Sequence, residues 1–408
     1  MPLPKKNYFS SLVARDRHEP HRAATQLELL FDLVVVIAIA TSAHGLTHEL
    51  SEGHFFMGII KFLLAFFILW WPWNLFTWFA SGFDNDDAAY RVNVMVMMIG
   101  IMLVAASIPT IFQGGAIIYG FIGYLILRSA AAILWLRIKD KSPQLKVTAQ
   151  RNVIGQIIIQ SFWAYIVFMT EPWSTEFVVL VAIAIAAELF VPWYARQAKN
   201  TPWHRHHVIE RFGLLNIIVL GEILLSSVHA IEASTSGVFN FSLMVLAIGS
   251  AATSFTMWWL YFCEAEHLES VENKRTFVWA YGHFVVFASG AATGAGFNLM
   301  VDVLNATHSS EEHLSLSAAS WAVTIPLALY VVGLWLVRDR YQLNNLHSSG
   351  LLFFAVLICL SALLPYQPIP SLVLLIACLS FRLGVANNSE AKLNNDYHAY
   401  YVWRIIFC

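Results

Sequence analysis

The sequence predicts an all-α protein, a polytopic transmembrane helical bundle of about 12 spans, and three observations support this fold class. Of the 408 residues, 58% are hydrophobic and only 12% are charged, whereas a soluble domain carries about 25% charged residues. Apolar runs close to the roughly 20 residues that cross a bilayer as a helix recur along the whole chain. Lysine and arginine are concentrated in alternate loops between these runs.

The apolar runs give the order of the spans. We predict spans at 26–46, 56–80, 91–111, 115–136, 151–169, 177–195, 208–230, 241–263, 276–301, 316–337, 349–365 and 369–386. The last two are separated only by "PYQPIP" (365–370), whose prolines interrupt a helix. Residues 1–25 lack the apolar core of a signal peptide, so we predict a basic tail there and not a cleaved leader.

The distribution of basic residues predicts the orientation of the spans. With the N-terminal tail in the cytoplasm, all but two of the 24 Lys and Arg residues fall on the cytoplasmic side, as the positive-inside rule requires. Both termini are therefore predicted to be cytoplasmic, including a C-terminal tail at 387–408. A net charge of −2 argues against a nucleic-acid partner, and the lipid bilayer is the partner that the basic segments predict.

Two similar segments predict an internal duplication. "QLELLFDLVVVIAIATSAH" (26–44) and "VIERFGLLNIIVLGEILLSSVH" (208–229) both begin near a glutamate and end on a histidine. Aromatic clusters and acidic loops follow each of them at a nearly constant offset. We therefore predict two six-helix halves in parallel orientation, at 26–200 and 201–386. The alternative is that aromatic belts and interfacial charges imitate a repeat.

Two basic residues depart from the loop pattern. Lys61 lies near the outer end of its span, where its side chain is expected to reach water. Arg128 lies near the bilayer midplane, and Glu188 in "AIAIAAELFVPW" comes to a similar depth. Because a charge inside the membrane needs a partner, Arg128 and Glu188 are predicted to pair. The alternative is that each faces water or a backbone carbonyl separately.

Glu222 is the deepest acid of the segment "ERFGLLNIIVLGE" (210–222). No lysine accompanies it, and Gly221 is expected to let another backbone come close. An acid at this depth is a candidate proton carrier, cation ligand or partner of a polar substrate. The alternative is a protonated glutamate that hydrogen-bonds across a helix interface.

Three further acids lie nearer the predicted inner interface. Glu28 and Asp32 share one helix face at i, i+4, and Glu210 corresponds to Glu28 in the predicted repeat. Together with the deeper charges they form a candidate transport or proton site. The alternative is that they are structural anchors, solvated or paired with Arg91 or Arg275.

Histidines mark the predicted outer face. His44 and His48 are spaced i, i+4, and His229 ends the corresponding segment of the second half. Such histidines can bind a metal ion or relay protons, but no HExxH-type motif is present, which favours solvated interfacial side chains. The four cysteines form no CxxC pair and are interpreted as apolar fillers. No motif identifies a cofactor.

Several segments carry a resemblance to a known family. They are "QLELLFDLVVVIA" (26–38), "WWPWNLFTWF" (70–79), "FDNDD" (83–87), "ERFGLLNIIVLGE" (210–222) and "WWLYF" (258–262). Taken together they resemble the bacterial low temperature requirement protein A family. The resemblance implies a bacterial inner-membrane protein and names no substrate. Family members often carry Asn-Arg where this chain has Ser81-Gly82, which bears on any role that needs a cation beside Asp84 and Asp86.

The sequence leaves several functions open. The charges predicted inside the membrane favour a secondary transporter or permease of a small solute. The alternative is a membrane-embedded protein that binds lipid or a cofactor, either an enzyme or a regulator of adaptation to cold. No nucleophile–base order, P-loop or nucleotide fingerprint is present, so an enzyme is the less favoured choice. Neither the solute nor the oligomeric state follows from the sequence.

Overall fold

The computed structural model describes residues 12–16, 19, 22–115, 117–138, 143–236, 239–263, 268, 273–306, 315–342 and 345–385. These residues form helices and connecting loops, and their one extended pairing is a bridge between Leu12 and Ile138. The predicted all-α class is confirmed. The predicted C-terminal tail at 387–408 lies outside the described residues, as does part of the N-terminal tail.

Twelve main helices follow one another along the described chain. They are α1 (Gln26–Ser51), α2 (Phe55–Phe83), α3 (Ala88–Phe112), α4 (Ile118–Leu136), α5 (Pro143–Met169), α6 (Thr175–Arg196), α7 (Arg205–Thr235), α8 (Phe241–Phe262), α9 (Asn273–Ala306), α10 (Leu316–Leu334), α11 (Asn345–Leu360) and α12 (Ile369–Val385). A π-helical turn (Trp335–Asp339) and the short helix Arg340–Gln342 extend α10.

Ten helices of the described chain, α1 to α10, are long and apolar enough to cross a bilayer. Two shorter apolar helices occupy the positions of the last two predicted spans. One is α11 together with the 3-10 turn that follows it (apolar part His347–Leu363), and the other is α12 (Ile369–Val385). Each is shorter than the roughly 20 residues that a crossing ordinarily needs. The protein is therefore a multi-pass helical membrane protein, and the number of 12 spans stays a prediction.

The chain divides into two compact units, Met1–Leu215 and Asn216–Cys408, and the division falls within α7. In the first unit α1 packs on α2 and α3, α3 packs on α4, and α5 packs on α4 and α6. In the second unit α9 packs on α8 and α10, and α10 also packs on α11. The predicted halves at 26–200 and 201–386, and the duplication itself, stay predictions.

Side-chain caps determine where several helices begin. Thr25 caps α1 by accepting a hydrogen bond from the Glu28 N–H, while Glu28 Oε2 accepts from the Thr25 N–H at 2.7 Å. This capping box satisfies two backbone donors at once. Side chains also cap α3, α6, α8 and α10, through Asp87, Ser174, Asn240 and Ser315 respectively. The box on α1 holds Glu28 at the first turn, where its other oxygen meets further partners.

Lys61 is buried, so the expectation that it reaches water is wrong. Its Nζ donates to Glu49 Oε1 at 2.7 Å and to the Phe112 carbonyl at 2.5 Å, and the residue is 9% exposed. An ammonium that finds a carboxylate and a carbonyl inside the protein needs no water. The contact ties α1 and α2 to the end of α3.

Helices α3 and α4 come very close where two glycines face each other. A β-carbon on Gly100 would lie 2.6 Å from the Gly123 carbonyl oxygen, and one on Gly123 would lie 2.7 Å from the Gly100 carbonyl oxygen. Small residues permit such an approach between membrane helices. At Gly221, by contrast, nothing lies within 4 Å of an added β-carbon, so the expected approach of another backbone there is wrong.

Gly123→Ala is expected to lower the free energy of unfolding by roughly 1–3 kcal/mol, because the new methyl group meets a backbone carbonyl that cannot move alone. Gly221→Ala is the matched control, since the same methyl group enters open space within a helix. It should be neutral or stabilising by up to about 1 kcal/mol. Unfolding of both variants in detergent would show this difference, and equal stability of the two would contradict the packing described.

Candidate functional site

A cluster of buried charges joins the start of α1 to the start of α7 within the first unit. Arg211 Nη2 donates to Asp32 Oδ1 at 2.5 Å, and Arg211 Nη1 lies 3.1 Å from Glu28 Oε1. His207 Nε2 lies 3.0 Å from the same Glu28 oxygen. Trp73 Nε1 donates to Asp32 Oδ1 at 2.7 Å. All five side chains are fully buried, so the cluster is an internal ion network.

A third acid, Asp84, extends this network to the loop after α2. Arg22 Nη2 lies 3.4 Å from Asp84 Oδ2 and 4.0 Å from Glu28 Oε1. Burial raises the pKa of the Asp84 carboxyl. Asp86 pairs with Arg91 at 2.6 Å on the exposed side of the same loop. Asp84 and Asp86 therefore each have a cation beside them, Arg22 and Arg91. They do so although this chain has Ser81-Gly82 at the Asn-Arg position of the family resemblance.

The alternative that Arg91 or Arg275 pairs with the inner acids is wrong for Glu28 and Asp32. Glu28 and Asp32 pair with Arg211, while Arg91 pairs with Asp86. Arg275 instead donates to the Val337 carbonyl at 3.0 Å.

Glu210 is not the counterpart of Glu28 in its contacts. It is exposed, and its Oε2 accepts from the Ala24 N–H at 3.1 Å. It forms no ion pair with a described residue, so the expected pairing with an arginine is absent from this part of the chain.

Arg128 and Glu188 form the ion pair that the sequence suggests. Arg128 Nη2 donates to Glu188 Oε2 at 2.8 Å between α4 and α6. Trp71 Nε1 donates to the same oxygen at 3.0 Å, and the Tyr124 hydroxyl donates to Glu188 Oε1 at 3.1 Å. Both charged side chains are at most 3% exposed. With its carboxylate satisfied on both oxygens, the pair suits a structural cross-link near the middle of the spans.

Glu222 lies in the second unit, buried between α7 and α9. It is 6% exposed, and its Oε2 has no hydrogen-bond partner. Gly294 on α9 stands directly opposite, where an added β-carbon would lie 2.7 Å from the Glu222 β-carbon. Ser226 Oγ donates to the carbonyls of Glu222 and Gly294. No Lys or Arg of the described residues forms an ion pair with Glu222.

Polar side chains continue from Glu222 along the same face of α7. Glu222, Ser226 and His229 are spaced i, i+4 and i+7, which places them in one row. His229 Nδ1 lies 3.2 Å from Asn298 Oδ1 on α9. His229 also interacts electrostatically with both Glu222 and the exposed Asp302. This row leads from a buried carboxyl to the protein surface, and we call it the α7–α9 polar row.

The histidines predicted for the outer face belong to different units of the chain. His44 and His48 are exposed on α1 in the first unit, whereas His229 belongs to the second. Among the described residues no group of three or more His, Cys, Asp or Glu side chains could hold a metal ion. The proposed outer metal or proton site of these three histidines stays a prediction.

Sequence reasoning missed a second buried charge cluster, at the end of α10. Asp339 Oδ1 accepts from Arg382 Nε at 2.6 Å, and Asp339 Oδ2 accepts from Arg338 Nη2 at 2.9 Å. Arg338 Nη1 also donates to the Leu260 carbonyl at 2.7 Å. All three charged side chains are fully buried. The arginines were assigned to inner loops, and the adjacent "RD" pair at 338–339 was the available signal.

The hydrogen bonds and burial of His204, in the loop before α7, lead us to expect that the stability of the protein depends on pH. Its Nε2–H donates to the Glu19 carbonyl at 2.8 Å, and its Nδ1 accepts from the His207 N–H. Burial lowers the pKa of His204 below its ordinary 6.5. Folding therefore favours the neutral ring, and the stability that it contributes is lost as the pH falls below about 6.5.

We expect wild-type protein to unfold at a lower temperature at pH 5 than at pH 7, and His204→Gln to lose less over the same interval. Glutamine retains a donor for the Glu19 carbonyl and does not titrate. Thermal unfolding in detergent at the two pH values measures this difference. Equal losses in the two proteins would show that His204 does not contribute.

The segments that build the buried network are those that carry the family resemblance. Three of these segments contribute to the network: 26–38 supplies Glu28 and Asp32, 70–79 supplies Trp73, and 210–222 supplies Arg211. Residues 23–386 match the family model described as bacterial low temperature requirement A protein (LtrA). The chain belongs to the LtrA family. No curated protein and no solved structure matches this LtrA-family protein.

Proposed function

We propose that this LtrA-family protein is a secondary transporter that couples the movement of a small polar solute to protons, with Glu222 as the proton-carrying carboxyl. The observation that carries the proposal is the α7–α9 polar row. In this row His229, hydrogen-bonded to Asn298, stands between Glu222, inside a membrane-spanning helix, and the exposed Asp302, and it interacts electrostatically with both acids.

The surroundings of Glu222 suit a group that gains and loses a proton. An ionised carboxylate inside a membrane is costly, so an acid at this depth is a functional candidate by default. One carboxyl oxygen of Glu222 has no partner, whereas Glu188 is hydrogen-bonded on both oxygens. An acid without a fixed cation can change its protonation state without breaking an ion pair.

Groups that can pass a proton stand between Glu222 and the surface. An imidazole binds and releases protons near neutral pH, and His229 interacts with acids on both sides of it along the row. The neighbouring polar groups of α8 are hydroxyls, with Ser250 on Ser227 and Ser254 on the Leu220 carbonyl. His229 is thus the titratable neighbour of Glu222 in this row, and Asp302 is the next titratable group beyond His229.

The buried ion pairs have a structural role in this proposal. Arg211 forms ion pairs with two acids, and Arg128 forms one with Glu188. We therefore assign these pairs to holding helices together and not to carrying protons. We further propose that the protein lies in the bacterial inner membrane with both termini in the cytoplasm, which the asymmetry of Lys and Arg supports.

Transport is tested by solute-evoked currents. Protein reconstituted into liposomes is adsorbed on a solid-supported membrane and exposed to a panel of amino acids, sugars, nucleosides and organic acids. We expect at least one solute to evoke a saturable current that protein-free liposomes lack and that changes with pH. Absence of current, together with absence of solute-driven acidification, for every solute would reject the proposal.

A further inference from the structure

A cavity of about 330 Å³ lies between α4 and α5 in the first unit. Its polar lining consists of Arg128, Ser129, Gln156, Gln160 and Ser161. The volume falls within the range of small-molecule sites in proteins. Arg128 and Gln156 lie near the middles of their helices, so the cavity lies at the depth of the bilayer interior.

The deep polar groups of this cavity lack partners. Gln156 Oε1, both polar side-chain atoms of Gln160, and Arg128 Nε are buried without a hydrogen bond. Each of the three side chains is more than nine-tenths buried. Unpaired amides are costly in hydrocarbon, where no water replaces the lost bonds. The arrangement therefore indicates a ligand that supplies both donors and acceptors.

An ionic ligand does not suit the cavity, because no unpaired charge lines it. Arg128, its one charged lining residue, is already paired with Glu188 at 2.8 Å. A charged headgroup would find no uncompensated charge to offset its desolvation. A hydroxyl or an amide meets the glutamines as a neutral partner and keeps the Arg128–Glu188 pair intact.

The cavity opens through an apolar rim. Leu125 and Ile157 are 40% and 60% exposed, and Phe121, Ala132 and Ala164 complete the apolar lining. Exposed apolar side chains at this depth of a membrane helix face hydrocarbon chains. A molecule that enters from the bilayer can place its polar group on the glutamines and its chain along this rim.

We propose that the α4–α5 cavity binds the uncharged polar group of a neutral lipid, a hydroxyl- or amide-bearing amphiphile that enters sideways from the bilayer. Gln156 and Gln160 hold the polar group, and Leu125 and Ile157 contact the chain. This site goes beyond the proposed transport, because it involves neither Glu222 nor any movement of protons.

The probe is 1-oleoylglycerol, an uncharged lipid with two hydroxyls and one chain. Native mass spectrometry of the full-length protein counts the bound molecules during a titration. We expect one saturable adduct on the wild type. In Gln156→Leu/Gln160→Leu the affinity should fall roughly fivefold for each lost hydrogen bond, or about 25-fold for the pair. Gln150→Leu, an exposed glutamine of the same helix, is the matched control and should bind as the wild type does.

Folding is checked separately. Because the leucines replace unpaired amides, the double variant should unfold at no lower temperature than the wild type. Ala164→Phe fills the cavity from its rim without changing either amide, and it should also remove the adduct. The proposal is overturned by an adduct that survives in both variants, by no adduct on the wild type, or by equal binding of the charged 1-oleoyl phosphatidate. If the wild type is a dimer and the double variant a monomer, the cavity belongs to an interface with a second copy of the chain, and the proposal is overturned too.

Discussion

Glu222→Gln is expected to abolish the pH dependence of the solute-evoked current and to reduce the current itself roughly tenfold or more, as the loss of a positioned proton-transfer group does in enzymes. Glutamine has nearly the shape of glutamate and can form hydrogen bonds within the α7–α9 polar row. It cannot bind and release a proton, so coupling is lost while folding is kept. The unfolding temperature in detergent should therefore remain close to that of the wild type.

Glu232→Gln is the matched control for this variant. Glu232 is an exposed glutamate on the same helix, α7, and its neutralisation should leave the current and its pH profile unchanged. If Glu222→Gln keeps the wild-type current at every pH, Glu222 is a structural acid that hydrogen-bonds across the α7–α9 interface. That was the alternative left open by the sequence.

Arg211→Met is expected to destabilise the protein by about 3–5 kcal/mol, because it leaves buried acids without their shared cation. Glu28 and Asp32 are both fully buried, and Arg211 contacts each of them. Methionine fills much of the volume of arginine but carries no charge. Denaturant unfolding in detergent, with a tryptophan signal, measures the loss.

Neutralising the acids as well should restore most of this stability. In Arg211→Met/Glu28→Gln/Asp32→Asn no buried charge remains unpaired, and such replacements are often nearly neutral. Arg91→Met, which breaks the exposed pair with Asp86, should shift the unfolding curve much less. Wild-type stability of Arg211→Met alone would contradict the network, as would a triple variant that is less stable than Arg211→Met.

The fold class and the Arg128–Glu188 ion pair could both be predicted from the sequence, because unsatisfied polar groups are costly inside a bilayer. Long apolar runs force helices in a bilayer, because every backbone group must be satisfied within its own segment. Arg128 and Glu188 interrupt two such runs at a similar depth. The cost of an isolated charge there leaves few choices, and the two residues pair as expected.

The partners of Glu28 and Asp32 could not be predicted from the sequence. The predicted repeat drew attention to Glu210, whereas its neighbour Arg211 is the residue that faces the acids. Adjacent residues of a helix point about 100° apart, and only the packing of α1 and α2 against α7 decides which one is buried. Both residues lie close to the predicted interface, so hydropathy does not distinguish them.

The glutamines of the α4–α5 cavity were missed for another reason. Gln156 and Gln160 carry no charge, so they barely interrupt the apolar run 151–169 and leave the predicted span intact. Their i, i+4 spacing places both on one face of α5, and this was the available signal. That their amides lack partners depends on α4, which the sequence alone does not position.

Proton movement through Glu222 is the central claim, and the internal pH of proteoliposomes tests it most directly. Liposomes that contain a pH-sensitive dye and either wild-type protein or Glu222→Gln receive an inward gradient of the solute that evokes the largest current. Coupled transport predicts a change of internal pH with the wild type and none with Glu222→Gln, while Glu232→Gln behaves as the wild type. An equal change of internal pH with Glu222→Gln would contradict the claim, and so would solute uptake by the wild type without any change of pH.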